Sequence, residues 1–199
     1  YRLFILLSRL LYKILGPALS TRLALSPFGK FIFSSFAGIH QGLRAYPTTE
    51  GIKVKLNADE ALGFGIFHLG IINKPETDWL KKILKPGDVV IDAGAFVDGW
   101  YTLLSGKLVG KKGHVYSFEP HPHYFQRLKE NIKLNHLNNV TAEKLGLYDR
   151  VGTFAFYSAQ GASSLLKSHA QPRGRKKPPV FKVKTTTLNH YVRRKKIKK

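Results

Sequence analysis

Apolar residues recur at helical spacing in the opening stretch RLFILLSRLLYKILG, where Leu3, Leu6, Leu7, Leu10, Leu11 and Ile14 share one stripe. Arg2, Arg9 and Lys13 interrupt that stripe, and Gly16-Pro17 ends it. A bilayer-spanning helix needs about 20 mostly apolar residues, so this amphipathic helix is too short and too charged to cross. Lying along a membrane interface and capping the domain's own core both stay open. A removed signal peptide would call for a small-residue cleavage site, and none is clear. Residues 17–60 are weakly patterned, with Gly, Pro and Ser punctuation and one strand expected over 52–56. We read residues 1–60 as a helix and peripheral extension.

From Thr77 the pattern sharpens. TDWLKKIL offers Thr77 as a helix cap, then an apolar stripe of Leu80, Ile83 and Leu84, which Lys85-Pro86-Gly87 stops. Val89-Val90-Ile91 is a β-branched run of the kind a buried parallel strand requires. The chain turns at Asp92-Ala93-Gly94 and enters a helix over 100–109, closed by Gly110. A strand over 115–118 ends in Glu119-Pro120, and a helix follows with Phe125, Leu128 and Ile132 on one face. After Asn138-Asn139 comes a strand over 140–145. Helix and strand alternate with short connections, the pattern of a doubly wound α/β sheet. The strands expected over 153–157 and 180–186 flank a long basic loop and read as an antiparallel flap.

Composition changes this picture in two respects. The 199 residues are one domain's worth of chain, and 43% hydrophobic content argues against general disorder. There is no cysteine, which excludes disulfides and thiolate metal sites, and no methionine, so Tyr1 is not an initiator. We expect the chain to be an excerpt from a longer protein. Its net charge is +21, concentrated in Arg173, Arg175, Lys176 and Lys177 and in the run 193–199. Such a balance is either a solvated lysine-rich surface or an attraction for polyanions, nucleic acid or an anionic membrane.

In an open α/β sheet, ligands bind beyond the carboxyl ends of the strands. The first end, VIDAGAFVDGW, carries Gly94, where backbone can approach a ligand closely. The unpaired N–H groups of the following helix suit a carboxylate or phosphate. The second end places Glu119 27 positions after Asp92, where a carboxylate can accept from both ribose hydroxyls. The third, Lys144-Leu145-Gly146-Leu147, would flank an adenine. The dinucleotide fingerprint G-x-G-x-x-G is absent, since only Gly94 and Gly99 fall in the loop. An acid two places before the first glycine would repel pyrophosphate and tolerates a sulfonium cation. The charge sign therefore favours S-adenosylmethionine over NAD. Asp92 as a helix cap and Glu119 as a solvated strand-end acid are the structural alternatives. His121 and His123 lack acidic or cysteine company at ligand spacing, so no metal site is expected.

The stretches LKPGDVVIDAGA, YTLL, GKKGHVYSFEPHP, LKENIKLN, GLYDRVGTFAFY, GASSL and VKTTTLNHY together resemble the FkbM-type methyltransferase family over about residues 62–192. The resemblance implies a class I Rossmann-like fold, S-adenosylmethionine as donor, and displacement of its methyl by a hydroxyl oxygen of a sugar or natural-product acceptor. Asp92, Gly94 and Ala95 match the family's methionine-side loop and Glu119 its ribose-binding acid. With Phe96, Gly99 and Leu147 these are the expected cofactor-binding residues, and residues 61–199 the expected methyltransferase domain.

Two departures stand out. The family loop reads D-x-G-A-N-x-G-x-Y-T, but Phe96 replaces its asparagine and the second glycine arrives one place late, at Gly99. Asp98 is expected to face solvent or the ligand's amino group, and Asn189 stands where the family more often has aspartate. The family continues into a further strand and an acidic loop, I-K-x-D-x-E-G, before which this sequence ends, so we expect an incomplete sheet and a catalytic base outside this chain. Expected partners are a small-molecule or glycan acceptor in the cytoplasm, with a membrane surface within reach of the N-terminal helix. The competing reading is a degenerate methyltransferase fold serving as a basic nucleic-acid or membrane-surface module, and an RNA-directed methyltransferase is a third.

Overall fold

The computed structural model describes residues 42–57, 70–96, 98–158 and 179–197, with single positions at 10, 14, 15, 19, 22, 26, 66, 163 and 165. The opening amphipathic helix and the basic loop after residue 165 therefore fall largely outside the described residues. The chain forms two compact units, Tyr1–Leu80 and Lys81–Lys199.

In the first unit, β1 (Arg44–Pro47) and β2 (Lys53–Leu56) form an antiparallel hairpin with Tyr46 opposite Val54. Alternation buries Tyr46, Val54 and Leu56, while Thr48 closes the turn through its hydroxyl and amide on Ile52. Only β2 is legible in the sequence, because RAYP carries Pro47 and a single buried apolar residue. Helix α1 (Lys74–Ile83) starts three residues before the expected cap and ends beyond the boundary between the units. Pro75 suits a first turn, where an N–H has no helical partner. Thr77 is consequently inside the helix, fully buried, its hydroxyl donating to the Ile72 carbonyl at 2.8 Å.

The second unit is built on a parallel sheet of order β3 (Val89–Ala93), β4 (His114–Phe118), β5 (Val140–Glu143). Helices α2 (Trp100–Val109) and α3 (Pro122–Leu134) make the crossovers, as the alternation predicts. Along β4 successive side chains face opposite ways. Ser117 meets Thr102 of α2, whereas Tyr116 and Phe118 meet Tyr191 of α4 (Leu188–Lys195) edge-on, with ring centroids 5.8 and 4.7 Å apart. Helices therefore cover both faces, and the sheet is doubly wound and Rossmann-like. β3 is less buried than a central parallel strand: among the described residues it pairs only with β4, and Val89 is 45% exposed. On α3 the buried positions are Arg127, Leu128 and Asn131, while Phe125 and Ile132 stay half-buried. The expected flap is present. β7 (Gly152–Tyr157) runs antiparallel to β8 (Val180–Thr186), which also takes the short β6 (Gly146–Leu147) in parallel.

Candidate functional site: a cofactor crevice at the strand ends

Asp92, one residue before the end of β3, turns its carboxylate toward α2, where it accepts from the Thr102 hydroxyl. Thr102 also lies 2.6 Å from the Ser117 hydroxyl on β4, and both hydroxyls are buried. Thr102 has one proton, so donating it to Asp92 leaves Ser117 as donor to Thr102. Burial raises the Asp92 carboxyl, and the hydrogen bonds from Thr102 counter that rise. Thr102→Val should keep the shape, strip both oxygens of a partner and destabilise the fold by about 1–3 kcal/mol. Chemical denaturation at neutral pH measures the loss, and unchanged stability would mean that the relay carries no weight.

Glu119 follows β4 and is only 4% exposed. Its Oε2 accepts from the Phe96 amide at 2.8 Å, and its Oε1 from the His121 amide at 2.8 Å. One side chain thus ties the loop after β3 to the loop after β4. Burial pushes its carboxyl up to about 7; the two amides pull it down, and Asp92 adds a smaller upward push. Below the ordinary glutamate value of 4.5, folded and unfolded chains both hold this proton. Between that value and about 7 only the folded chain does, so stability falls as pH rises through this window. Glu119→Gln should remove a decline on the order of 3 kcal/mol from the pH profile of unfolding. Superimposable profiles for the two proteins would contradict the buried carboxyl.

Two adjoining cavities of about 310 and 320 Å³ open at these strand ends and share Gly94, Pro120, Phe156 and Ser163. The first reaches Gly146 and Leu147, and the second reaches Phe96, Glu119 and Tyr124. A Cβ built on Gly94 meets nothing within 4 Å, so its backbone faces open space, and its φ of +90° favours glycine. A larger hollow of about 450 Å³ between α3 and β5 is lined by Lys129, Lys133 and His136 and contains no carboxylate.

Residues 92–199 match the methyltransferase FkbM domain, more than half of the chain, with the acid, glycine and helix start of this crevice inside the match. The chain belongs to the FkbM methyltransferase family. It is also 38% identical over 58 residues to the protein-L-isoaspartate O-methyltransferase of Ignicoccus hospitalis, covering 29% of this chain and 27% of that one. Among solved structures, TYW2 of M. jannaschii in complex with AdoMet is 29% identical, over 50% of this chain and 42% of that one, at a TM-score of 0.39. A SAM-dependent methyltransferase from Aquifex aeolicus is 28% identical, over 39% and 42%, at 0.34. The chain thus spans about a quarter of the curated relative's length and less than half of either solved chain.

Within this FkbM-family site, Gly94, Phe96, Glu119 and Leu147 all line the crevice. Ala95 is buried just behind it, its amide on the Phe118 carbonyl at 3.1 Å. Gly99 lines neither cavity. It precedes α2 with φ +65°, and a Cβ there would come within 2.4 Å of Leu128 Cδ1, so its smallness serves helix packing. Asp98 does not face solvent. It is 3% exposed and its Oδ1 accepts from the Trp100 amide at 2.9 Å, satisfying the first donor of α2. That is the capping role weighed for Asp92, moved six residues along. Thr102 and His121 contact the strand-end acids directly and Ser117 does so through Thr102, although none of the three lines a cavity. No local sequence pattern marks the serine and threonine, and only the pleat direction of β4 pairs them.

Proposed function

We propose that this chain binds S-adenosylmethionine in the crevice and that its methyl goes to a hydroxyl oxygen of a sugar or natural-product acceptor. The carrying observation is Glu119, a buried carboxylate facing the crevice with both oxygens already oriented by amides. Each oxygen has a further lone pair, so the pair can accept from the two ribose hydroxyls of the donor. S-adenosylmethionine, when bound, brings a methyl group activated by its sulfonium charge. Gly94 lets backbone close on the ligand and Leu147 offers an apolar contact to the adenine, whereas Asp92, bonded to Thr102, lines neither cavity. The Glu119 carboxylate in the crevice and the lack of a G-x-G-x-x-G loop in the sequence support this donor over a dinucleotide. The resemblance of the sequence motifs to the family supports the hydroxyl acceptor.

Calorimetric titration with S-adenosylhomocysteine and with NAD tests the reading. One-to-one binding of the first and none of the second is expected. Heat from NAD alone, or from neither, overturns it.

A second reading draws on the exposed basic run at the end of α4, Arg193, Arg194, Lys195 and Lys196. There the acceptor would be a polyanion. A gel shift with single-stranded RNA over a salt series separates the two readings, because phosphate contacts give a steep salt slope.

A further inference from the structure

His121 sits where three parts of the second unit meet. Its backbone amide holds Glu119, and its Nδ1 accepts from the Tyr124 amide at 3.4 Å, capping α3. An imidazole nitrogen that accepts carries no proton, so in the neutral ring Nε2 is the protonated one. Nε2 lies 3.1 Å from Ser158 Oγ at the end of β7, and therefore donates to it. Ser158 is itself anchored, its amide donating to the Pro179 carbonyl ahead of β8 at 2.8 Å. The imidazole stacks on Tyr124 with centroids 4.0 Å apart and meets Phe181 of β8 edge-on at 5.1 Å. On its other side Tyr124 contacts Phe96 edge-on at 4.9 Å, and Phe96 is the second residue whose amide holds Glu119.

Both amides that grip the carboxylate thus belong to residues whose rings meet Tyr124, and one of those rings is tied to the flap. The geometry points to His121 as a positioning residue: through Ser158 and Tyr124 it locks the loop that aims Glu119 at the ribose, so that the flap and the cofactor site are set together. This inference rests on the proposed cofactor reading. A helix cap alone needs neither the bond to Ser158 nor the link to β8, and solvent would serve an exposed Nε2 equally well.

The test is a crossed set of variants, with S-adenosylhomocysteine affinity measured at about pH 8, where imidazoles are neutral. Ser158→Ala removes the tie and leaves the cap, and should weaken binding by roughly 2- to 10-fold, the worth of one net hydrogen bond. In a Glu119→Gln background the same change should have no effect, because the residue it aims no longer accepts on both sides. His121→Asn retains a capping side chain and should keep the melting temperature while losing affinity like Ser158→Ala. Equal losses in both backgrounds, or none in either, overturn the inference. If the wild-type protein does not bind S-adenosylhomocysteine, the cofactor reading falls separately. Hydrogen exchange at the His121 amide then decides: faster exchange in Ser158→Ala supports the positioning role, and unchanged exchange refutes it.

Discussion

Glu119→Ala is expected to weaken S-adenosylhomocysteine binding by roughly 100-fold or more while the protein stays folded. Two hydrogen bonds to a charged acceptor are each worth about 1.5–3 kcal/mol, and every 1.4 kcal/mol is about tenfold in affinity. Alanine also releases the Phe96 and His121 amides, so the loops on either side of the ribose lose their common anchor. The fold should survive, because a carboxyl that burial has raised to about 7 is no asset to the charged native state. Calorimetry above pH 7, with circular dichroism as the control, is the measurement. An unaltered dissociation constant in a folded variant would remove Glu119 from the site.

The largest effect on stability is expected at a glycine far from the ligand. A Cβ at Gly113 would stand 2.5 Å from both the Asp88 carbonyl oxygen and Val109 Cβ. Neither neighbour can yield easily: the carbonyl accepts the His114 amide that begins the β3–β4 pairing, and Val109 is fully buried. Overpacking of this kind costs about 1–3 kcal/mol, so Gly113→Ala should sit at the top of that range and melt roughly 5–10 °C lower. Gly99→Ala should cost less despite its positive φ, because the atom in its way is the end of a leucine side chain. Thermal melts of the two variants give the ranking, and a harmless Gly113→Ala would show that the turn before β4 can shift.

Where a residue's place is dictated by its own position at a strand end, the sequence was sufficient to locate it. Asp92, Gly94 and Glu119 stand at the carboxyl ends of parallel strands, and periodicity locates those ends. Residues whose task depends on a partner in another element were not legible. Thr102 and Ser117 are 15 positions apart, and His121 and Ser158 are 37 apart. No local pattern announces such contacts. Thr77 misled for a related reason: a threonine before an apolar stripe reads as a cap, but its hydroxyl serves the carbonyl of Ile72 inside a helix begun by Lys74-Pro75. Phe96 was legible as a departure from the family and not in its consequence. It adopts a left-handed φ of +61°, which asparagine tolerates and a bulky aromatic resists, and still delivers its amide to Glu119.

The Glu119 carboxylate joins amides 25 positions apart in sequence, those of Phe96 and His121. It therefore works as a rivet between two loops, adding to the backbone bonds that the Gly94 and Ala95 amides make to the Phe118 carbonyl. Any group that draws electron density from one of its oxygens weakens the grip on both amides together. Arrival of a diol at the crevice should thus register as a concerted shift of two distant backbone resonances, a signature that simple crowding near either loop would not produce.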